Sequence, residues 1–285
     1  MNTAGRAIVL LICFSLAAAG KTAADLKTVL DRAQNYVAIY EQQLGAVIAE
    51  EDYQQRAIWE LRGQRTASRV EQQHLSSDFL LVRVDNTWFG VRNVKQVNST
   101  PLDAAPTNFS GILSQPTASA IQHFREIQAS NTRYNIGDFV RTFNVPTFPL
   151  AIMNRANFRR FDFKKGAEKK LDGTLTWEIR FSETAHPTMI RDLQGKDQIQ
   201  YGRLWIDPET GRIFSTETLI EVKTGAMRFK GMFVVTYKFS PKLNMLVPET
   251  MHENYDSQLH HVEGIAKYSN FRRFETDVQL NIPPQ

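Results

Sequence analysis

Cysteine is nearly absent from this chain of 285 residues, which contains only Cys13. One cysteine cannot form an intrachain disulfide, and it cannot supply a cluster of thiolates for a metal ion. If cleavage removes the segment that contains Cys13, the remaining chain has no thiol, and thiol catalysis is excluded too. The fold therefore depends on burial and strand pairing, which a domain of this length can supply.

Apolar runs long enough to cross a bilayer, about 20 residues, are also lacking. The short apolar run Ala7–Leu16 follows Arg6 and precedes the small residues Ala17–Ala19. This order is typical of an export signal. We predict a signal peptide over residues 1–24, cleaved after Ala19 or Ala24, and a periplasmic or secreted mature protein. Acylation at Cys13 is the alternative, but Ile12 stands where a lipoprotein signal needs a small residue.

A strong charge imbalance is missing as well. The chain has 34 Lys and Arg against 30 Asp and Glu, a net charge of +4. An excess this small does not indicate a nucleic-acid partner. Cations and aromatic residues alternate in Arg155–Lys170, which predicts a hairpin with a basic outer face. Such a face allows at most peripheral contact with anionic lipid headgroups.

Motifs for catalysis or metal binding are absent from the sequence. It contains neither Gly-x-Ser-x-Gly nor His-Glu-x-x-His. His260 and His261 are adjacent, and we expect them in the loop between the last two strands, as a solvated pair. Glu50 and Asp52 would share an exposed strand face rather than act as acid and base. We predict no catalytic residue, no metal and no cofactor, although a hydrolase site assembled only in three dimensions remains an alternative.

One helix opens the region after the signal. Apolar residues recur at three- and four-residue spacing through Asp25–Leu44, which predicts an amphipathic helix. Asp25 is suited to its N-cap, and Gly45 to a left-handed C-cap.

After this helix, apolar and polar residues alternate over most of the chain, which predicts strands. Asn98–Ser119 is predicted as a long irregular connection because it carries three prolines. Ala118–Ser130 and Pro146–Asn157 are predicted as helices. We expect an α+β fold, a single domain over residues 25–285 with a helical insertion at about 98–157. The predicted strands are Val47–Gln54, Arg69–Leu75, Phe79–Val84, Trp88–Val97, Phe158–Lys164, Leu171–Phe181, Tyr201–Ile206, Arg212–Lys223, Met227–Phe239, Met245–Tyr255 and Val262–Glu275.

Two of these strand regions have strong local signals. Asp207-Pro208-Glu209-Thr210-Gly211 predicts a hairpin turn in which Gly211 takes a positive φ. In Met227–Phe239 the aromatic residues fall on one face, namely Phe229, Phe233, Tyr237 and Phe239. That stripe is either packed core or the lining of a cavity, and the sequence does not separate the two.

A helix followed by a long antiparallel meander resembles the bacterial lipoprotein-carrier fold of the LolA/LolB type. The similar stretches are Val47–Gln54, Asp78–Val91 and Gly202–Gly211. Arg133–Gly137 and Tyr268–Phe274 look more like a group of uncharacterised exported bacterial proteins. The resemblance implies a strongly curved, half-barrel-like sheet covered by helices, with an apolar cavity for acyl chains. The arginine-proline dipeptide of true carriers has no counterpart here.

We therefore expect an exported cell-envelope protein, not an enzyme, that holds a lipid or other apolar ligand between the sheet and the helices. The predicted lining residues are Leu204, Phe229, Phe233 and Tyr237. The alternative is a structural or interaction module with a packed core and no ligand, which would dock another envelope protein through Asn98–Ser119.

Overall fold

The computed structural model describes residues 24–43, 46–60, 68–84, 87–103, 107–137, 141, 144–191, 195–224, 227–257 and 260–273. Residues 1–23 of the predicted export signal, and Leu44 and Gly45 at the predicted end of the first helix, lie outside these ranges. No helix in the described part of the chain is both long and apolar enough to cross a bilayer.

The first helix, α1, spans Leu26–Gln43 as the periodicity predicts. The carboxylate of Asp25 accepts a hydrogen bond from the backbone N–H of Thr28 at 2.7 Å, so Asp25 is the N-terminal cap. The buried stripe of the helix is Val29, Leu30, Ala33, Val37 and Tyr40.

Strands make up most of the rest of the described chain. They are β1 Ala46–Glu60, β2 Ser68–Val84, β3 Thr87–Val97, β4 Thr100–Pro101, β5 Phe161–Leu171, β6 Thr174–Glu183, β7 Ile190–Arg191, β8 Asp197–Gln198, β9 Gln200–Ile206, β10 Ile213–Thr224, β11 Met227–Ser240, β12 Met245–Ser257 and β13 His260–Arg273. The helices between them are α2 Phe109–Leu113, α3 Thr117–Asn131 and α4 Arg155–Phe158, with 3-10 turns at Thr132–Tyr134 and Phe148–Met153.

Eleven of these strands form one antiparallel sheet in the order β4-β3-β2-β1-β13-β12-β11-β10-β9-β6-β5. The last strand, β13, pairs with β1 and so joins the two halves of the meander. The end strands β4 and β5 do not pair with each other, so the sheet is open rather than a closed barrel. The predicted α+β class with one large antiparallel sheet is confirmed at this level.

Several predicted boundaries are wrong. Arg69–Leu75 and Phe79–Val84 belong to one continuous strand, β2, because the serines between them still pair with β1. Strand β5 runs on to Leu171, and the turn falls at Asp172 and Gly173. His260 and His261 begin β13 rather than lying in a loop.

The sheet is covered on both faces. Val47, Ala49 and Phe79 belong to the main core, whereas Ile48 and Leu80, one residue along each strand, belong to a second cluster with α2 and α3. Successive strand residues point to opposite faces. We call the face of Val47 and Phe79 the inner face and that of Ile48 and Leu80 the outer face.

The insertion passes around one edge of the sheet. Helix α3 packs on the outer face through Phe124, which stacks on Phe89 with ring centroids 5.4 Å apart. The side chain of Asn131, at the end of α3, accepts from the backbone N–H of Arg92 and donates to its carbonyl. It thereby satisfies the free edge of β3 as a neighbouring strand would. The chain then continues onto the inner face, so the insertion does not lie on one side only.

Helix α1 is fixed against the turn at Asp207–Arg212. Gly211 has a φ of 74°, as predicted, and a Cβ added there would lie 2.3 Å from the carbonyl carbon of Arg32 in α1. Arg32 also donates to the carbonyl of Pro208 at 2.5 Å. Glycine is required here for both its conformation and its close approach.

Candidate functional site: a strap across the inner face

The predicted lining residues do not all come together. Leu204 lies on β9 and Phe233 and Tyr237 lie on β11, with β10 between these strands. The three are 0%, 2% and 3% exposed and belong to the main core. Phe229 packs instead on a smaller cluster nearer the other end of β11, where its ring stacks on Tyr255. Phe239, predicted on the same face, is 49% exposed.

An irregular segment lies over this part of the sheet. We call the described residues of this segment, 134–137, 141 and 144–148, the strap. The 3-10 turn Phe148–Met153 follows directly. Phe148 meets Phe233 edge to face at 6.4 Å, and Leu150, Ile152 and Met153 are buried in the main core. The strap thus delivers apolar side chains of the chain itself onto the inner face.

Side chains of the sheet hold the strap by its backbone carbonyls. Gln55 of β1 donates to the carbonyl of Tyr134 at 2.8 Å, Arg92 of β3 to that of Asn144 at 3.0 Å, and Tyr237 of β11 to that of Pro146 at 2.7 Å. Buried backbone without regular structure needs such partners. The sheet therefore carries polar side chains on its inner face that fit this covering segment.

Two buried ion pairs lie where the strap meets the sheet. Arg92 forks onto both oxygens of Glu51 at 2.7 and 2.9 Å, and the two side chains are 7% and 0% exposed. Arg141, in the strap, lies 3.7 Å from Glu253 of β12. Each arginine has one glutamate, so this cluster is close to neutral overall.

Tyrosines complete the cluster. The hydroxyls of Tyr53 and Tyr255 donate to the two oxygens of Glu253 at 3.3 and 2.9 Å. Burial raises the pKa of both phenols, and the charge of Glu253 raises each pKa further. For Arg92, burial lowers the pKa, but the adjacent Glu51 carboxylate outweighs that effect and the net pKa is raised. Both arginines remain charged, and both phenols remain neutral, at physiological pH.

A narrow crevice opens beside these arginines, between α3, β3 and the strap. Its volume is about 10 Å³, and its walls include Arg92, Arg141, Asn131 and Asn144. A space of this size holds about one water molecule. The crevice is thus part of the polar network rather than a ligand pocket.

A larger groove of about 450 Å³ lies along the β1, β2 and β13 strands, lined by polar side chains that include Gln54, Gln72 and Asn98. Most of its lining residues are polar, although Ile265 is among them, and none is a residue of the apolar site that the sequence predicts.

The histidines do not converge on a catalytic centre. His74, His186 and His261 each pair with one aspartate, Asp52, Asp197 and Asp256, at separate places. His260 points to the inner face and stacks on Trp59 at 4.6 Å, away from its neighbour. Within the described ranges no three His, Cys, Asp or Glu side chains come together to hold a metal ion.

Sequence reasoning missed the charged residues of the inner face. Glu51 lies between Glu50 and Asp52, which are exposed as predicted. Alternation along β1 places Glu51 on the same face as Val47 and Tyr53, and a lone carboxylate on a core face signals a buried partner. Nothing in the sequence indicates that Arg92 or Arg141 supplies that partner, because both come from distant segments.

No family model matches the chain, and no curated protein matches it in sequence. Solved structures give remote likenesses. An outer-membrane lipoprotein-sorting protein domain from Vibrio parahaemolyticus is 12% identical, covers 87% of this chain and 96% of its own length, and has a TM-score of 0.37. LprF from Mycobacterium bovis is 11% identical, with coverages of 92% and 98% and a TM-score of 0.25. The MucA/MucB complex of Pseudomonas aeruginosa is 8% identical, with coverages of 86% and 98% and a TM-score of 0.21. At such scores these likenesses identify neither a family nor a ligand.

Proposed function

We propose that the protein is an exported cell-envelope protein that binds a lipid or other apolar ligand on the inner face of its sheet, beneath the strap. One observation carries this proposal. The apolar surface around Phe233 and Tyr237 is covered by an irregular segment held through side-chain hydrogen bonds. Detachment of the segment would give up these hydrogen bonds and the ion pair of Arg141 with Glu253, but it would leave the pairing of the strands intact.

In this proposal the chain occupies its own site when no ligand is bound. Phe148 takes the place of an acyl chain against Phe233, and Leu150 fills the same core as Leu204. Displacement of the 3-10 turn would expose these rings together with the hydroxyl of Tyr237, which now donates to Pro146. An apolar surface with one polar anchor is a common form of ligand site. Phe229 would extend that surface toward the far end of β11.

Binding is tested with a fluorescent acyl probe and by native mass spectrometry of gently purified protein. We expect a co-purified apolar ligand, or saturable probe binding. Phe148→Ser weakens the strap and should tighten probe binding, whereas Ile39→Ser, at an exposed position of α1, should leave it unchanged. Ligand-free protein that also binds no probe would refute the proposal.

Export is the second part of the proposal, and it rests on residues 1–24. N-terminal sequencing of protein from an envelope fraction should begin at Gly20 or Asp25. An intact Met1, or a lipid on Cys13, would contradict the proposed location.

The packed core favours a second candidate, a structural or interaction module without ligand. Val29, Ala33 and Val37 of α1 are fully buried against the sheet. In that case crosslinking in intact cells should recover one stoichiometric protein partner, and the acyl probe should not bind. We propose no enzymatic activity, no cofactor and no nucleic-acid partner.

A further inference from the structure

One stretch of sheet edge in the described chain is left open. Strand β2 pairs with β1 from Ser68 to Val82, but β3 pairs with β2 only from Leu75 onward. His74 is covered by Asn98, which bonds both its N–H and its carbonyl. Residues 68–73 therefore extend past β3 as an edge strand.

Two other stretches of sheet edge are protected. Asn131 and Gln128 of α3 bond the edge of β3 at Arg92 and Gly90. The opposite edge strand, β5, has a register shift between Lys165 and Glu168 and is rich in lysines. Bulges and lysines are common means of preventing edge pairing. Residues 68–72 of β2 have no register shift, and no helix side chain of the described residues bonds their backbone.

Strand geometry fixes which backbone groups are available. Because the N–H and carbonyl of His74 point away from β1, those of Gln72, Val70 and Ser68 do so too. Among the described residues, no strand pairs with these groups. Val70 is the middle one of these three residues, and its side chain is 47% exposed.

We propose that this edge pairs with the same edge of a second copy of the chain, giving an antiparallel dimer centred on Val70. The two copies of Val70 then face each other across the twofold axis, and Ser68 faces Gln72. Arg69 falls opposite Glu71 of the second copy, twice by symmetry. The stretch is thus self-complementary in charge, as an isologous interface requires.

The dimer would be weak. The central five residues supply about six backbone hydrogen bonds. An interface made of one strand edge falls in the class below about 1,200 Å² that is typical of transient pairs. We expect a dissociation constant in the micromolar range or weaker, and a monomer at high dilution.

The test is sedimentation equilibrium of the purified protein across a concentration series. Glu71→Arg sets like charges opposite each other and should weaken the dimer about tenfold. The double variant Arg69→Glu/Glu71→Arg exchanges the charges, recreates both opposite-charge pairs and should restore dimerisation. Arg69 also lies 3.6 Å from Glu71 of its own chain, so the unfolding free energy of each variant is measured beside its dimerisation. Loss and rescue of the dimer at unchanged stability would identify the pairs between the two copies.

A backbone variant provides an independent measurement. Val70→Pro removes an N–H that points away from β1, so it should spare the sheet and weaken the dimer about tenfold or more. Val70→Thr is the matched control and should dimerise like the parent protein. Hydrogen exchange at the amides of Val70 and Gln72 should slow as concentration rises.

Three results would overturn the proposal. The first is a monomer at all concentrations whose Val70 and Gln72 amides are nevertheless protected, since another segment of the same chain would then cover the edge. The second is a monomer with unprotected amides. The third is a dimer that is unaffected by Val70→Pro and Glu71→Arg, which would pair through another surface.

Discussion

Separating the buried pair of Arg92 and Glu51 should destabilise the fold more than most single substitutions. Glu51 is fully buried, and Arg92 bonds both of its oxygens and the carbonyl of Asn144. Glu51→Leu leaves a buried guanidinium without its counter-ion, and Arg92→Met leaves a buried carboxylate. Removing one member of such a pair costs about 3–5 kcal/mol of unfolding free energy.

The double variant Glu51→Leu/Arg92→Met removes both charges together. Replacing a whole buried pair by apolar residues is often close to neutral. Here it also removes one hydrogen bond to the strap, worth about 1 kcal/mol. We therefore expect the double variant to lose about 1 kcal/mol, far less than the sum of the two single variants.

Urea unfolding followed by tryptophan fluorescence measures these free energies. Asp31→Asn in the exposed Lys27–Asp31 pair is the control, and it should leave stability unchanged. If the two single losses added up in the double variant, the two side chains would not be energetically coupled, and the buried ion pair inferred from the geometry would be wrong.

Three further predictions concern stability. Burial raises the pKa of the five tyrosines that are at most 3% exposed, so the native state keeps protons that the unfolded chain releases above about pH 10. Stability should therefore fall above that pH, and absorbance at 295 nm should show these phenols ionising only on unfolding. Contacts with Arg180 and with the N–H of Ala167 hold the pKa of Glu178 below its ordinary value of 4.5. The stability that these contacts contribute should therefore be lost as the pH falls below that value. In Glu178→Gln the melting temperature should fall less steeply with decreasing pH in this range. Gly211→Ala meets both a positive φ and the backbone of α1 and should cost more than about 2 kcal/mol, whereas Gly173→Ala, with a similar φ and open space, should cost about 1 kcal/mol by thermal melting. The five tyrosines are Tyr40, Tyr53, Tyr237, Tyr255 and Tyr268.

Local patterns predicted the parts of the fold that depend on local physics. The spacing of apolar residues located α1 and α3, and the turn residues located Gly211, because these signals act within a few residues. They did not show that β2 is continuous. Its central serines have low strand propensity, and it is their pairing with β1 on one side and β3 on the other that keeps them in the strand.

Of the residues around the strap, the sequence predicted only apolar ones, and their role as a ligand lining stays a prediction. Alternation found Phe233 and Tyr237, since both lie on a core face. The strap depends on contacts between residues far apart in the chain, such as Tyr237 with Pro146 and Glu51 with Arg92. A periodic pattern does not show which distant residues pair, so these polar contacts could be identified only from the structure.

A disulfide that locks the strap tests the central claim most directly. A Cβ added at Gly90 would lie 2.5 Å from a methyl of Val145 in the strap, so cysteines at both positions are within disulfide reach. Gly90→Cys/Val145→Cys can be compared oxidised and reduced, with Val145→Cys alone as control. The account predicts that the oxidised protein binds the acyl probe at least tenfold more weakly and that dithiothreitol restores binding. Equal probe binding by the oxidised and reduced protein would contradict it.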